Sequence, residues 1–105
     1  MSWVYLILAG LFEIGWPLGL KLAGDPSNRA VGITVAISCM AASGMLLWFA
    51  LKGIPIGTAY AVWTGIGAAG TFLVGVLVFG DPSSFAKYCG VALIVGGVAT
   101  LKLAS

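Results

Sequence analysis

Long uncharged apolar runs alternate with short polar segments along this chain, and a charge closes nearly every run. Trp3 to Leu20 is an 18-residue run interrupted only by Glu13 and closed by Lys21. Gly24-Asp25-Pro26-Ser27-Asn28-Arg29 follows, where a proline among Asx and Gly residues predicts a turn. Ala30 to Leu51 is uncharged for 22 residues and ends at Lys52-Gly53. Ile54 to Gly80 is uncharged for 27 residues, long enough to span a bilayer with a tilt or a kink. Asp81-Pro82-Ser83-Ser84 then offers a polar cap and an early proline, the start signals of a helix. The last run extends from about Ser84 to Leu101, with Lys87 near the interface and Lys102 at its end. A bilayer core of roughly 30 Å takes about 20 residues of helix, so four spans consume nearly the whole chain. The pattern predicts an all-α membrane protein, a single domain of four transmembrane helices over residues 1–105. The connections are too short to carry a catalytic domain, and no enzyme is expected.

Composition sharpens that picture. Of 105 residues, 61% are hydrophobic and 8% charged, with a mean hydropathy of +1.14. A soluble domain carries roughly 25% charged residues, so this chain lacks the side chains to face water. The net charge of +2 is too small and scattered to suggest nucleic acid. There is no histidine, the commonest metal ligand and general base. Cys39 and Cys89 lie in apolar runs without metal-ligand spacing and read as packing thiols. Neither a metal nor a cofactor is expected. The N-terminus has no basic region before its apolar run and no cleavage pattern, so it reads as a mature helix.

Charge says little about orientation. Four spans put both termini on one side with Lys52 and Lys102, against Lys21, Arg29 and Lys87 on the other. Two against three is almost no bias under the positive-inside rule. Such a chain can insert both ways up, unless one residue suffices to fix it.

Glu13 is the residue most able to carry chemistry. At 1.5 Å per residue it lies about 15 Å along the helix from Trp3 and about 12 Å from Lys21, near the midplane. A carboxylate there costs at least ~2.5 kcal/mol, which makes function the default reading. No lysine or arginine stands at the same depth to neutralise it. Trp16 falls three residues on, on the same helical face. In the third span Tyr60, Trp63 and Gly67 follow an i, i+3, i+7 pattern, with Thr64 beside them. Their rings and N–H or O–H donors can attract a cation or position a carboxylate. Ser43, midway along the second span, is a further donor, unless its hydroxyl bonds its own helix.

Gly65-Ile66-Gly67-Ala68-Ala69-Gly70 satisfies the dinucleotide fingerprint G-x-G-x-x-G, but it follows no strand and lies inside an uncharged span. Gly65 and Gly67 read instead as a point where a membrane helix can flex. Gly57, Ala61, Gly65 and Ala69 form a small-residue stripe for close helix approach. Ala86, Gly90 and Gly97 form another in the fourth span, suited to contact between two chains.

The runs Gly10-Leu11-Phe12-Glu13-Ile14-Gly15-Trp16 and Pro55-Ile56-Gly57-Thr58-Ala59-Tyr60-Ala61-Val62-Trp63-Thr64-Gly65-Ile66-Gly67-Ala68 resemble the small multidrug resistance family of proton-coupled exporters. The resemblance covers essentially the full length. Within the family the chain is similar to the guanidinium-exporter subtype, which has Trp three residues after the central Glu and reads Gly-Thr-Ala-Tyr-Ala. Aromatic-cation exporters typically have Gly at the first position and an apolar residue for the Thr.

The resemblance implies an antiparallel homodimer in the bacterial inner membrane, with Gly90 and Gly97 at the dimer contact. It further implies that both Glu13 side chains share one pocket, binding protons or a guanidinium-type cation in turn. Trp16, Ser43, Tyr60 and Trp63 would position the carboxylate and shape the site. The alternatives are an exporter of hydrophobic quaternary ammonium drugs, or a proton-conducting or structural four-span subunit. The chain departs from the family in its first loop, where Gly-Phe-Thr-Arg is usual, and at Pro17, where Ala is usual. Proline there removes the helical donor to the Glu13 carbonyl, so the first helix is expected to bend or open at the carboxylate.

Overall fold

The computed structural model describes all 105 residues. Four long helices follow the apolar runs: α1 (Ser2–Ala23), α2 (Arg29–Ala50), α3 (Ile56–Leu77) and α4 (Phe85–Ala104). All four are long and apolar enough to cross a membrane. At 22 residues each, α1 to α3 are about 33 Å long, matching a hydrocarbon core. The expected turn after α1 contains a short 3₁₀ helix, Pro26–Asn28, in which Asp25 Oδ1 accepts from the Ser27 amide (3.1 Å) and hydroxyl (2.9 Å).

Two boundaries shift from the expected spans for local reasons. The third helix starts at Ile56 and not Ile54, because Pro55 holds an extended conformation (φ −57°, ψ 143°) and forms the N-cap. It ends at Leu77 and not Gly80. The amides of Phe79 (3.2 Å) and Asp81 (3.0 Å) both fold back onto the Gly75 carbonyl, and Gly80 takes the left-handed φ of 68° that ends helices. At the start of α4 the Ser84 hydroxyl accepts from the Lys87 amide at 3.2 Å, a side-chain N-cap.

The helices form a thin slab whose principal extents are 44 × 34 × 16 Å. α1 lies between α2 and α3, while α2 and α3 barely meet and α4 packs along α3, with Lys102 reaching over Trp3 of α1. Small residues set the α1–α2 distance. A Cβ on Gly19 would stand 2.6 Å from the Ala36 amide nitrogen, and one on Gly32 would strike the Ala23 backbone. Gly15 meets Cys39 in the same seam. Lacking a hydrophobic drive in lipid, helices associate by such close packing.

The buried cluster of Leu6, Ala50, Ile54, Ala59 and Val62 sits where the start of α1, the end of α2 and the start of α3 converge. At that end Lys52 Nζ lies 5.2 Å from the Trp48 ring centroid, and Lys102 Nζ lies 4.9 Å from that of Trp3. These are interfacial pairings of amphipathic side chains. Most other large apolar side chains face outward, as lipid requires.

α4 is the least enclosed element, with no buried residue. Val98 and Ile94 press against Gly65 of α3, whereas Gly90, Gly96 and Gly97 have nothing within 4 Å of a would-be Cβ. Of the α3 small-residue stripe, Gly65 and Ala69 are buried and Gly57 and Ala61 are exposed. α3 runs unbroken through Gly65, Gly67 and Gly70.

Candidate functional site

The i, i+3 spacing of Glu13 and Trp16 becomes a hydrogen bond: the Trp16 indole Nε1–H donates to Glu13 Oε1 at 2.9 Å. On the opposite side α3 offers no side chain at the point of closest approach. A Cβ on Gly67 would stand 2.5 Å from Glu13 Cγ, so glycine is what lets the carboxylate stem lie against α3. Gly10 against Ile66 and Gly70 against Ile14 repeat this one turn away on each side. The chemistry follows from these contacts. One carboxylate oxygen is held by a neutral donor, and no lysine or arginine forms a salt bridge with it.

A cavity of about 410 Å³ opens beside Glu13, lined also by Pro17 of α1, by Thr64, Gly67, Ala68 and Thr71 of α3, and by Phe72 and Asp81. Pro17 faces it from one turn beyond Glu13. α1 remains helical through Pro17, so the missing N–H leaves the Glu13 carbonyl without its helical donor but does not break the helix. A smaller cavity of about 150 Å³ continues from it along Pro17, Thr71 and Asp81 to Lys21 and Phe79.

Ser43 and Trp63 lie behind the carboxylate, outside the cavity lining. Ser43 is 1% exposed. Its hydroxyl donates across the helix seam to the Ala9 carbonyl at 2.7 Å and accepts from Trp63 Nε1–H at 2.8 Å. The chain of bonds ties α3 to α2 to α1, ending on the backbone one turn before Glu13. The alternative of a hydroxyl bonded to its own helix does not occur at Ser43. Tyr60 packs its ring 5.5 Å from that of Trp63, is 59% exposed, and has no hydrogen-bond partner within the chain. Glu13, Trp16, Pro17 and Gly67 thus come together, Ser43 and Trp63 brace them, and Tyr60 stands apart.

Ala68, Thr71, Phe72 and Asp81 line the site in addition to the residues that the sequence pattern singles out. Thr64, Ala68 and Thr71 repeat at i, i+4, i+7, a face that was legible in the α3 sequence. Asp81 was not, since it reads as the start signal of α4, and only the fold-back onto Gly75 carries it to the cavity.

A family model described as Small Multidrug Resistance protein matches residues 1–94. The chain is 47% identical over 105 residues to a protein of Proteus vulgaris named guanidinium exporter, with both chains covered in full. It is 46% identical to one of the same name from Yersinia pestis, again with full coverage of both. A Salmonella typhimurium protein of that name is 44% identical over all of this chain and 99% of its own.

Proposed function

The chain belongs to the small multidrug resistance family, and from that premise we propose that it exports guanidinium and small guanidinyl cations in exchange for protons. The pairing of Trp16 with Glu13 carries the reading. Guanidinium is planar, permanently charged at neutral pH, and donates paired hydrogen bonds that match a carboxylate edge. An indole three residues from the carboxylate fixes the orientation of that edge and fills space that a large aromatic cation would need. Glu13 binds a proton or the cation, never both, and that exclusion is the coupling. Ser43 and Trp63 hold the backbone and the helix seam behind it.

The working unit is an antiparallel homodimer in the inner membrane of a bacterium. Alternating access is commonly built on elements related by inverted symmetry, and four spans without an internal repeat can obtain it from two oppositely inserted copies. The near-even split of charge between the two sides is compatible with such insertion. The open face of α4 around Gly90 and Gly97 supports a contact between copies there. In the dimer two Glu13 side chains clamp one cation, and Tyr60 turns its exposed hydroxyl towards the shared pocket. Gly65 and Gly67 are the points where α3 flexes between the two access states.

Substrate-induced current on a solid-supported membrane, compared for guanidinium and a quaternary ammonium cation, tests the substrate. A current with guanidinium alone is expected, weakening as pH falls because protons compete for the same carboxylates. Current with the quaternary ammonium and none with guanidinium overturns the reading. Reporters at the C-terminus test the assembly. Signal from both compartments is expected, and a single orientation with full activity excludes the antiparallel dimer.

A further inference from the structure

Gly-Asp-Pro-Ser occurs twice, at residues 24–27 and 80–83, in the two loops at the Lys21 end of the molecule. The two aspartates have different fates. Asp25 spends its carboxylate locally, accepting from the amide and hydroxyl of Ser27. Asp81 does not. Its preceding glycine has φ of 68°, its amide folds back to the Gly75 carbonyl at 3.0 Å, and its carboxylate lies over the Gly75 backbone. There it accepts no hydrogen bond from the chain and lines both cavities.

The wall between the two carboxylates is polar in an unusual way. Thr34 and Thr100 donate their hydroxyls to the carbonyl four residues back, at 2.8 Å each, as threonines in membrane helices commonly do. Thr64 and Thr71 make no such bond, and both line the larger cavity. That cavity therefore presents two carboxylates and two uncommitted hydroxyls, Thr71 on the Asp81 side of Gly67 and Thr64 one turn past it, and no lysine or arginine. Lys21 stands only in the smaller cavity beyond, and it forms no ion pair with Asp81.

We propose that Asp81 is a second cation-recognition residue, receiving the guanidinyl cation at the membrane surface and passing it along Thr71 to Glu13, with the Thr64 hydroxyl on the far side of that carboxylate. The inference rests on the export reading above. A cation leaving water loses hydration before it reaches the midplane, and a surface carboxylate with hydroxyls behind it replaces that hydration in steps. Asp81 raises the local concentration of cation at the cavity mouth, whereas Glu13 alone carries the proton exchange. Lys21 sets a counter-charge that keeps the empty mouth from holding a cation too tightly.

The test is guanidinium uptake into proteoliposomes with an acid interior, for the parent, Asp81→Asn, Asp81→Glu and Thr71→Val. Asp81→Asn is expected to raise the KM for guanidinium by up to about fivefold at low ionic strength, the upper end for one exposed charge pair. Vmax stays within about twofold, and the KM difference shrinks in high salt as screening removes it. Asp81→Glu restores the parent KM, which a purely structural role for the aspartate side chain would not predict. Thr71→Val keeps the shape and leaves the loop intact, and it raises KM even if Asp81→Asn fails to assemble. An unchanged KM in both Asp81→Asn and Thr71→Val overturns the proposal, as does a salt-independent loss of Vmax alone. No guanidinium uptake by the parent instead overturns the export reading, and this inference with it.

Discussion

The two ends of the molecule are built from the same helices and differ in what α3 does. At the Lys52 end, α1, α2 and α3 converge on Leu6, Ala50, Ile54, Ala59 and Val62, all at most 5% exposed. Towards Lys21, α1 stays tight on α2 through Gly19 and Gly32, yet between α1 and α3 there is cavity in place of packed side chains. Glu13 sits at the boundary. The difference teaches that access to the carboxylate is a property of the α1–α3 contact, since the α1–α2 seam has no room to open on backbone-to-backbone glycine contacts. It also teaches why α3 is rich in glycine. Gly67 and Gly70 let α3 approach α1 at the boundary with only the side chains of Glu13 and Ile14 in between.

The largest effect is expected from Glu13→Gln, which removes charge at the boundary and leaves both ends intact. The amide keeps the acceptor for the Trp16 N–H but cannot exchange a proton for a cation. Proton-driven guanidinium uptake should vanish, while thermal stability in detergent holds or rises, since an amide costs less than a carboxylate in lipid. Retained gradient-driven uptake by the variant would remove Glu13 from the mechanism.

Substitutions at the two ends should separate packing from access. Leu6→Ala empties a fully buried position in the closed end and is expected to destabilise by about 2 kcal/mol, at the low end of buried leucine truncations. Ala68→Val, at an exposed position in the open end, should leave the unfolding midpoint within a degree or so while slowing uptake. Equal destabilisation by both, measured by unfolding in detergent, would mean that the open end is as tightly packed as the closed one.

The sequence carries the spans because charges close the apolar runs, and it carries the Trp16–Glu13 bond because both residues share one helical face. Other features needed the third dimension. The Ser43 hydroxyl has acceptors on its own helix and on α1, and only the close α1–α2 seam decides for Ala9. The exposure of α4 is invisible in a pattern where lipid and a partner helix ask for the same apolar side chains. Asp25 and Asp81 have identical local sequence, and the glycine dihedral that parts them is set by how α3 ends.

A smaller effect tests the brace behind the boundary. Ser43→Ala leaves the Trp63 N–H without its partner and the Ala9 carbonyl without its second donor. About 1 kcal/mol of stability should be lost, within the range measured for interhelical hydrogen bonds in membranes. Apparent guanidinium affinity should weaken more than the maximal rate, because α1 loses positioning and not its chemistry. Ser43→Thr, which keeps the hydroxyl, should recover part of both, and failure of Thr to recover either would point to volume at this position in place of the hydrogen bond.

The smallest and most specific change is Pro17→Ala. Pro17 lines both cavities, one helical turn beyond Glu13 on the side where the molecule is open. Alanine would return the N–H that the Glu13 carbonyl lacks, so α1 gains a backbone bond and loses the ring that faces the cavity. In the parent that carbonyl lacks its helical donor, and under the export reading it can accept from a guanidinyl cation with a polar substituent such as guanylurea or a biguanide. With the carbonyl occupied, the substituted cation is expected to lose a partner worth about 1 kcal/mol, whereas bare guanidinium, which needs only the Glu13 carboxylate, is expected to lose nothing. The expected outcome is an approximately fivefold shift in relative uptake towards bare guanidinium, with proton coupling unchanged. Competition between the two cations in proteoliposomes measures that ratio directly. A ratio equal to the parent's would show that proline shapes the helix without reaching the substrate, and would leave selectivity to Trp16 and the open face of α3.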